Sequence, residues 1–428
     1  MMAAHRPLVR VGHPVPLARR ILRALLPRTV PWMVPLARTH RNALLARVTL
    51  VALTGSVGKT TTAACIAAAL GLPRRPSGDN AFPNLLLDLL RIRPWQTRAV
   101  VETGIDGPGQ MARIAGLLRP DVAVFTAVGP SHCRSFRELA DTAAEKSLLL
   151  AHLRPGGVAV LNADDREVMA TADRVPGRVV TYGVAPEADV RALSETLDWP
   201  HGTRLRVHIG GRRIEVRTRL FGRRMAYAAL AALAVAHALD EPLEEAAARL
   251  AAVTPAPMRL QVVGLPSGAW LLRDEFRSNL ETIDAALDLL EEIPGRRLAI
   301  MGDIAEPPQP HGPVYWRVGA RLAAVCDRIV VVGSRSLRQR LVSGARRAGY
   351  DAARFLFAGN DWRRAVAAIA EDLGPGDVVL VKGRNEQCLA RASLALTGRV
   401  VRCGQRSCRL RDGHCDGCPR LEQEDTGP

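Results

Sequence analysis

Lysine is almost missing from this chain. There are three, at positions 59, 146 and 382, against fifty-six arginines. Arginine supplies positive charge wherever charge alone is needed. Each remaining lysine therefore marks a place where a compact, deprotonatable amine does what a guanidinium cannot. Aromatic residues make up only 4%, which removes the stacking platforms of single-strand nucleic-acid binders. Nucleic acid is accordingly not an expected partner, although the formal charge is +17; nucleotide and acidic substrates are the expected anions. No uninterrupted apolar run reaches the roughly 18 residues of a membrane span. A secretory leader is not expected either, because Arg19, Arg20, Arg23, Pro27, Arg28 and Pro31 break up the first apolar residues. Internal repeats are lacking. The expected location is the cytoplasm.

What is present reads as α/β. Residues 1–46 form a basic, proline-punctuated segment, with Ala18 to Leu26 able to make a short amphipathic helix suited to an anionic membrane surface or a partner. From 47 to 257 apolar strand candidates alternate with helices. The strands fall at 48–54, Ala99–Glu102, Val122–Thr126 and Val158–Asn162, and the helices include one from about Thr60 to Leu70. That alternation predicts a mostly parallel sheet covered on both faces. Short alternating β segments follow over 179–221, then an alanine-rich helix from about Met225 to Leu239. Thr254-Pro255-Ala256-Pro257 reads as a linker. Residues 258–400 repeat the α/β pattern as a smaller Rossmann-like domain, and 401–428 are a polar, cysteine-rich tail.

The chemistry gathers around the lysines. Gly55-Ser56-Val57-Gly58-Lys59-Thr60-Thr61 joins a strand to a helix, as a phosphate loop must. Glycines let backbone N–H groups approach phosphate oxygens at a helix N-terminus. Lys59 would reach the outer phosphates and Thr60 would ligate Mg²⁺. Leu53 stands where a generic loop of this kind has its first glycine, so the loop is a shortened variant. Glu102 ends a strand where a hard cation would sit. Lys146 lies on a helix beside Ala143, Ala144 and Leu148, where an unpaired ammonium is costly; carbamylation by CO₂ would turn it into an anionic Mg²⁺ ligand.

The loop resembles the Thr-Gly-x-x-Gly-Lys-Thr-Thr motif of the Mur ligases, ATP-dependent amide ligases of cell-wall synthesis. Val100-Val101-Glu102-Thr103-Gly104 resembles the family's Mg²⁺-holding strand end. The segment from Thr126 to Phe136 resembles the one whose histidine, here His132, binds a second Mg²⁺. Ala144-Glu145-Lys146 resembles the carbamylated-lysine segment, and Asn162-Ala163-Asp164-Asp165 the Asn-x-Asp-Asp strand end. Met301 to Glu306 and Val379 to Gly383 resemble the C-terminal domain of the member that adds D-alanyl-D-alanine. The resemblance covers about 48–400. It implies ATP and Mg²⁺ as cofactors, and a carboxylate and an amine, small-molecule or peptide, as substrates. It also implies an acyl phosphate on the way to the amide, with the C-terminal domain closing over the nucleotide. Arg259 stands where the family contacts nucleotide, Asp274 where a carboxylate can hold ribose hydroxyls, and Asn279 keeps the asparagine of the same motif.

Four departures accompany the resemblance. Gly222-Arg223-Arg224-Met225-Ala226-Tyr227-Ala228 has none of the family's adenine-contacting asparagines. In Arg273-Asp274-Glu275-Phe276-Arg277-Ser278-Asn279 a family tyrosine is Phe276 and an asparagine is Arg277. About 47 residues precede the phosphate-loop strand, too few for the family's UDP-sugar domain, so the standard UDP-linked pentapeptide is not the expected product. Cys403, Cys408, Cys415 and Cys418 gather in sixteen residues, ending in Cys-x-x-Cys, with His414 as a competing ligand; their spacing predicts a structural Zn²⁺ site. The altered motifs keep open a second reading, a nucleotide-binding scaffold that works through a partner subunit.

Overall fold

The computed structural model describes residues 29–73, 81–129, 136, 138–307, 309–404, 408 and 415–423. His132, His414 and the segment Ala18 to Leu26 lie outside them. The chain forms two units, Ala24–Ala256 and Pro257–Pro428.

The first unit opens with helix α1 (29–39) and a π-helical turn, His40–Leu44. There follow β1 (Thr49–Thr54), α2 (Lys59–Ala69), α3 (Phe82–Leu90), β2 (Arg98–Glu102), α4 (Gln110–Leu118), β3 (Val122–Phe125), α5 (Leu139–Ala151) and β4 (Val158–Asn162). The short α6 (Arg166–Met169) leads to β5 (Arg178–Gly183), β6 (Val190–Asp198), β7 (Gly202–Ile209) and β8 (Arg212–Thr218), then α7 (Arg223–Ala238) and α8 (Leu243–Leu250). The eight strands lie in the order β2-β1-β3-β4-β5-β6-β7-β8. They are parallel from β2 to β6 and antiparallel from β6 to β8. This is the α/β, mostly parallel sheet expected from the sequence.

Strands β3 and β4 are buried at every residue because helices cover both faces. One face packs Val51, Leu53, Val124 and Val160 against the alanines of α2 and α7. The other packs Leu50, Ala52 and Phe125 against α3, α4 and α5. At the sheet's far side β7 alternates buried and exposed residues, the period-two pattern of a strand with one wet face. Strand order reverses at β1, which lies between β2 and β3. Such a switch point opens a crevice beyond the carboxyl ends of the strands.

Arg41 fastens the start of the chain to this sheet. It is fully buried and donates to the carbonyls of Leu45, Leu118 and Arg119 and to Asp121. Burial lowers its pKa, and five donors in a rigid fork are what allow one side chain to satisfy so many acceptors.

The second unit contains β9 (Gln261–Gly264), β10 (Trp270–Asp274), α9 (Leu280–Glu292), β11 (Arg297–Met301), α10 (His311–Val325), β12 (Arg328–Val332) and α11 (Arg335–Arg347). It continues with β13 (Phe355–Gly359), α12 (Trp362–Ala370), β14 (Val378–Lys382) and α13 (Ala390–Leu396). Its six strands run β13-β12-β11-β14-β10-β9, all parallel except the β9 edge. Leu271, Ile300, Val330 and Val379 pack with Ala365, Ile369 and Leu389 on one face.

The described part of the tail is fastened to this unit. Leu421 is buried, and its carbonyl accepts from the amides of Arg402 and Cys403. Arg273, at the end of β10, donates twice to Asp416, at 2.5 and 3.0 Å. The expected four-cysteine Zn²⁺ site is not assembled. Among the described residues no three His, Cys, Asp or Glu side chains form a group able to hold a metal. The Cys415 thiol instead meets the thiol of Cys388, which is buried ahead of α13; this contact lowers the Cys388 pKa and raises that of Cys415. Spacing within the tail carries no information about Cys388.

Candidate active site

The crevice at β1 is lined by the glycine loop. Gly55 has φ +148°, and a Cβ there would lie 2.0 Å from Thr126 Oγ1. Gly58, with φ +82°, is the N-cap of α2 and adds no side-chain cap of its own. Side chains larger than hydrogen are excluded at the first position and strained at the second. The loop is held from behind. Ser56 N donates to Ala127 O at 2.7 Å, and Thr126 Oγ1 donates to Val57 O at 2.7 Å. Asn162 then donates to Thr126 O, and Asp165 accepts from Val128 N. The Asn-x-Asp-Asp strand end thus braces the segment behind the loop.

Lys59 opens α2 and folds back to donate to Gly55 O at 2.6 Å. Thr60 donates to the Glu102 carboxylate, 3.1 Å from Oε2. Glu102 reaches it from β2, whose register places it beside Leu53 of β1. The Ser56 hydroxyl is buried without a hydrogen-bond partner.

Lys146 lies on α5 and is 1% exposed. Burial is the main cause that brings its pKa down to about 7; the charge of Lys59 lowers it further, while Asp106 and Glu145 oppose. Glu145 also accepts from Met111 N, tying α5 to the start of α4. Asp106 did not stand out in the sequence, because it lies forty positions from Lys146 and is brought near only by the fold. Lys59, Thr60, Glu102 and Lys146 are thus set around one loop by three separate segments, α2, β2 and α5. Thr61 is buried in the first turn of α2.

In the second unit, register places Met301, Lys382 and Asp274 side by side at the carboxyl edge of the sheet. Lys382 is buried and donates to Asp274 Oδ2 at 2.6 Å and to Arg277 O at 2.5 Å. Asp274 Oδ1 accepts from Leu260 N, so both carboxylate oxygens are engaged. Burial raises the Asp274 pKa and lowers that of Lys382, while each charge favours the other. Arg259 lies over the ring of Phe276, 4.4 Å from its centroid. Asn279 caps α9 and accepts from Thr282. At the start of α7, Met225 and Ala228 occupy the positions of the missing asparagines, and Tyr227 donates to Asp164 at 2.8 Å.

These residues fit a nucleotide and a magnesium ion. The loop supplies uncapped N-terminal amides and an orphaned buried hydroxyl for phosphate oxygens. Thr60 and Glu102 supply a hydroxyl and a carboxylate, the oxygen donors that Mg²⁺ takes. Glu102→Gln is expected to raise the Mg²⁺ concentration for half-maximal activity by about tenfold or more. A magnesium titration of ADP release checks this, and an unchanged midpoint would remove Glu102 from the metal's surroundings.

Comparison with known proteins agrees with this geometry. Residues 53–236 match the Mur ligase middle domain and residues 258–385 the Mur ligase glutamate ligase domain. The UDP-N-acetylmuramoyl-tripeptide–D-alanyl-D-alanine ligase of Escherichia coli is 32% identical over 317 residues, 72% of this chain and 69% of its own length. The enzyme of the same name from Mycobacterium tuberculosis strain CDC 1551 is 32% identical over 377 residues, 82% of this chain and 73% of its own. Among solved structures, MurF of Acinetobacter baumannii superposes with a TM-score of 0.75 at 23% identity, over 86% of this chain and 80% of that one. The Thermotoga maritima MurF ligase in complex with ADP gives 0.73 at 22% identity, over 86% and 83%.

Proposed function

The chain belongs to the Mur ligase family, the ATP-dependent amide-bond ligases of cell-wall synthesis, and from that premise we propose which residues do the work and on what. The substrates are a peptide-like carboxylate and a small amine such as a dipeptide. The carboxylate takes the γ-phosphoryl group of ATP, giving an acyl phosphate and ADP. The amine attacks the acyl carbon, phosphate leaves, and the nitrogen loses a proton. The observation that carries this reading is Lys146, a buried amine with its pKa near 7 in the field of the phosphate-loop lysine.

Ser56, the amides of Gly55 to Thr60 and Lys59 hold and neutralise the transferring phosphoryl group, so catalysis here is positioning and charge compensation. Thr60, Glu102 and carbamylated Lys146 hold Mg²⁺, which neutralises charge on the phosphates when bound. His132 keeps its assignment as a further Mg²⁺ ligand. Arg259 is the nucleotide contact of the second unit, with Asp274 fixing the end of β14 beside it. Met225 and Ala228 in place of asparagines leave the base without the family's side-chain amides. The relatives are ligases, which supports catalysis over a scaffold role. No described helix is long and apolar enough to cross a membrane, and ATP chemistry fits the cytoplasm.

ADP release against panels of acids and amines tests the reading. The UDP-linked tripeptide with D-alanyl-D-alanine, the pair in the relatives' names, is the first arm. Release that requires both an acid and an amine, with an amide found by mass spectrometry, is the expected result. Release independent of both across all panels would overturn it in favour of a simple ATPase.

A further inference from the structure

We propose that the amino-terminal edge of the eight-stranded sheet docks on an anionic lipid bilayer. Helix α1 is apolar on two opposite sides. Val30, Met33, Val34 and Ala37 face the core. Pro31, Trp32, Pro35 and Leu36 face outward and are exposed, Trp32 at 83% and Leu36 at 59%. A helix that is apolar all round is ordinarily covered all round. Leu44, 55% exposed, continues the surface past the π turn.

A second element, joined to the end of α1, presents another exposed indole. The turn between α3 and β2 carries Trp95, 78% exposed. His40 bonds the Ile92 carbonyl of that turn at 2.9 Å, and Thr49 N, at the start of β1, donates to Thr97 O at 3.0 Å. The turn of Trp95 and the end of α1 therefore lie at the strand-start edge, whereas the phosphate loop lies at the opposite, carboxyl end of β1. Trp32 and Trp95 are the two most exposed large apolar side chains among the described residues.

Charge selects the occupant. Arg38, Arg47 and Arg93 are exposed on these same segments, and the Arg93 guanidinium lies 5.9 Å from the Trp95 ring centroid. The nearby acids are taken: Asp88 by Arg91, and Asp121 by Arg41 and Arg154. No Asp or Glu occurs before Asp79 in the sequence. Indoles that settle at the headgroup level, flanked by arginines that meet lipid phosphates, are the composition of an interfacial anchor. A nucleic acid would use the arginines and leave Pro31, Pro35 and Leu36 in water. Docked by this edge, the protein keeps its nucleotide crevice directed away from the lipid.

The test is co-sedimentation of the full chain with phosphatidylcholine vesicles made with and without phosphatidylglycerol, followed by tryptophan emission. Binding to the anionic vesicles only, weakened by salt and accompanied by a blue shift, is expected. Trp32→Ser with Leu36→Ser, and separately Trp95→Ser, should each lower the partition coefficient by about tenfold while ADP release in solution is unchanged. Equal binding to both vesicle types, or binding indifferent to these substitutions, would overturn the proposal. So would a wild-type dimer in light scattering that the same substitutions dissociate, or tryptophan-dependent binding to nucleic acid instead of vesicles.

Discussion

Lys59→Ala is expected to lower turnover by at least about three orders of magnitude, the scale on which phosphoryl-transfer enzymes depend on a positioned cation. The amine stands at the first residue of α2, 2.6 Å from the Gly55 carbonyl. It needs only to swing off that carbonyl to meet phosphate oxygens delivered to the loop. Alanine leaves the loop intact, because Gly55, Gly58 and the Ser56 and Thr126 bonds fix its course. Lys59→Arg should fail as well, since a planar fork is larger than the ammonium it replaces. ADP release measured beside binding of a nonhydrolysable nucleotide separates chemistry from affinity. An alanine variant that retains a tenth of wild-type turnover contradicts the assignment.

Lys146→Ala is expected to be equally damaging, for a different reason. Two ammonium groups in one buried neighbourhood repel, and burial alone already favours the neutral amine. A neutral amine adds to CO₂ with loss of one proton and becomes a carbamate. The anion then relieves the repulsion from Lys59 and provides an oxygen ligand for Mg²⁺. Because the pKa is about 7, the reactive form predominates above that pH and falls off below it. Activity should decline with CO₂ depletion, and more steeply below pH 7. A short carboxylate should restore part of the activity of Lys146→Ala and none of that of Lys146→Arg. Growth of a carbamate resonance with ¹³C-labelled CO₂ gives a direct readout. Wild-type turnover in Lys146→Arg would falsify the carbamate, since guanidinium cannot form it.

Both predictions began with three lysines in an arginine-rich chain, and that much of the site was legible in the sequence. The loop was legible because its function requires local features: an apolar strand, glycines at fixed offsets, and a helix. The long-range parts were not. Asp106 acts on Lys146 only because the segment before α4 packs near α5, and Tyr227 meets Asp164 across sixty-three positions. The central strands read correctly because both faces are dry and the runs are apolar throughout. Helix α1 did not, since residues 1–46 read as proline-punctuated; its packing through Val30, Val34 and Ala37 outweighs the prolines. The cysteine tail was legible only in part: the closing Cys-x-x-Cys suggested ligands within the tail, while the contact of Cys415 with Cys388 is one that only folding reveals.

The ion pair between Arg273 and Asp416 also bears on synthesis. The two residues are 143 positions apart, so a ribosome delivers the strand long before it delivers the counter-charge. Until Asp416 emerges, the Arg273 guanidinium has Glu275 as its carboxylate partner, itself buried and with one oxygen unbonded. The side-chain contacts of Arg273, next to Asp274 on β10, are therefore completed only after the tail has been made. A message truncated before Asp416 would yield a chain whose two domains are nearly full length but whose Arg273–Glu275 pair lacks the second carboxylate and the two hydrogen bonds it accepts.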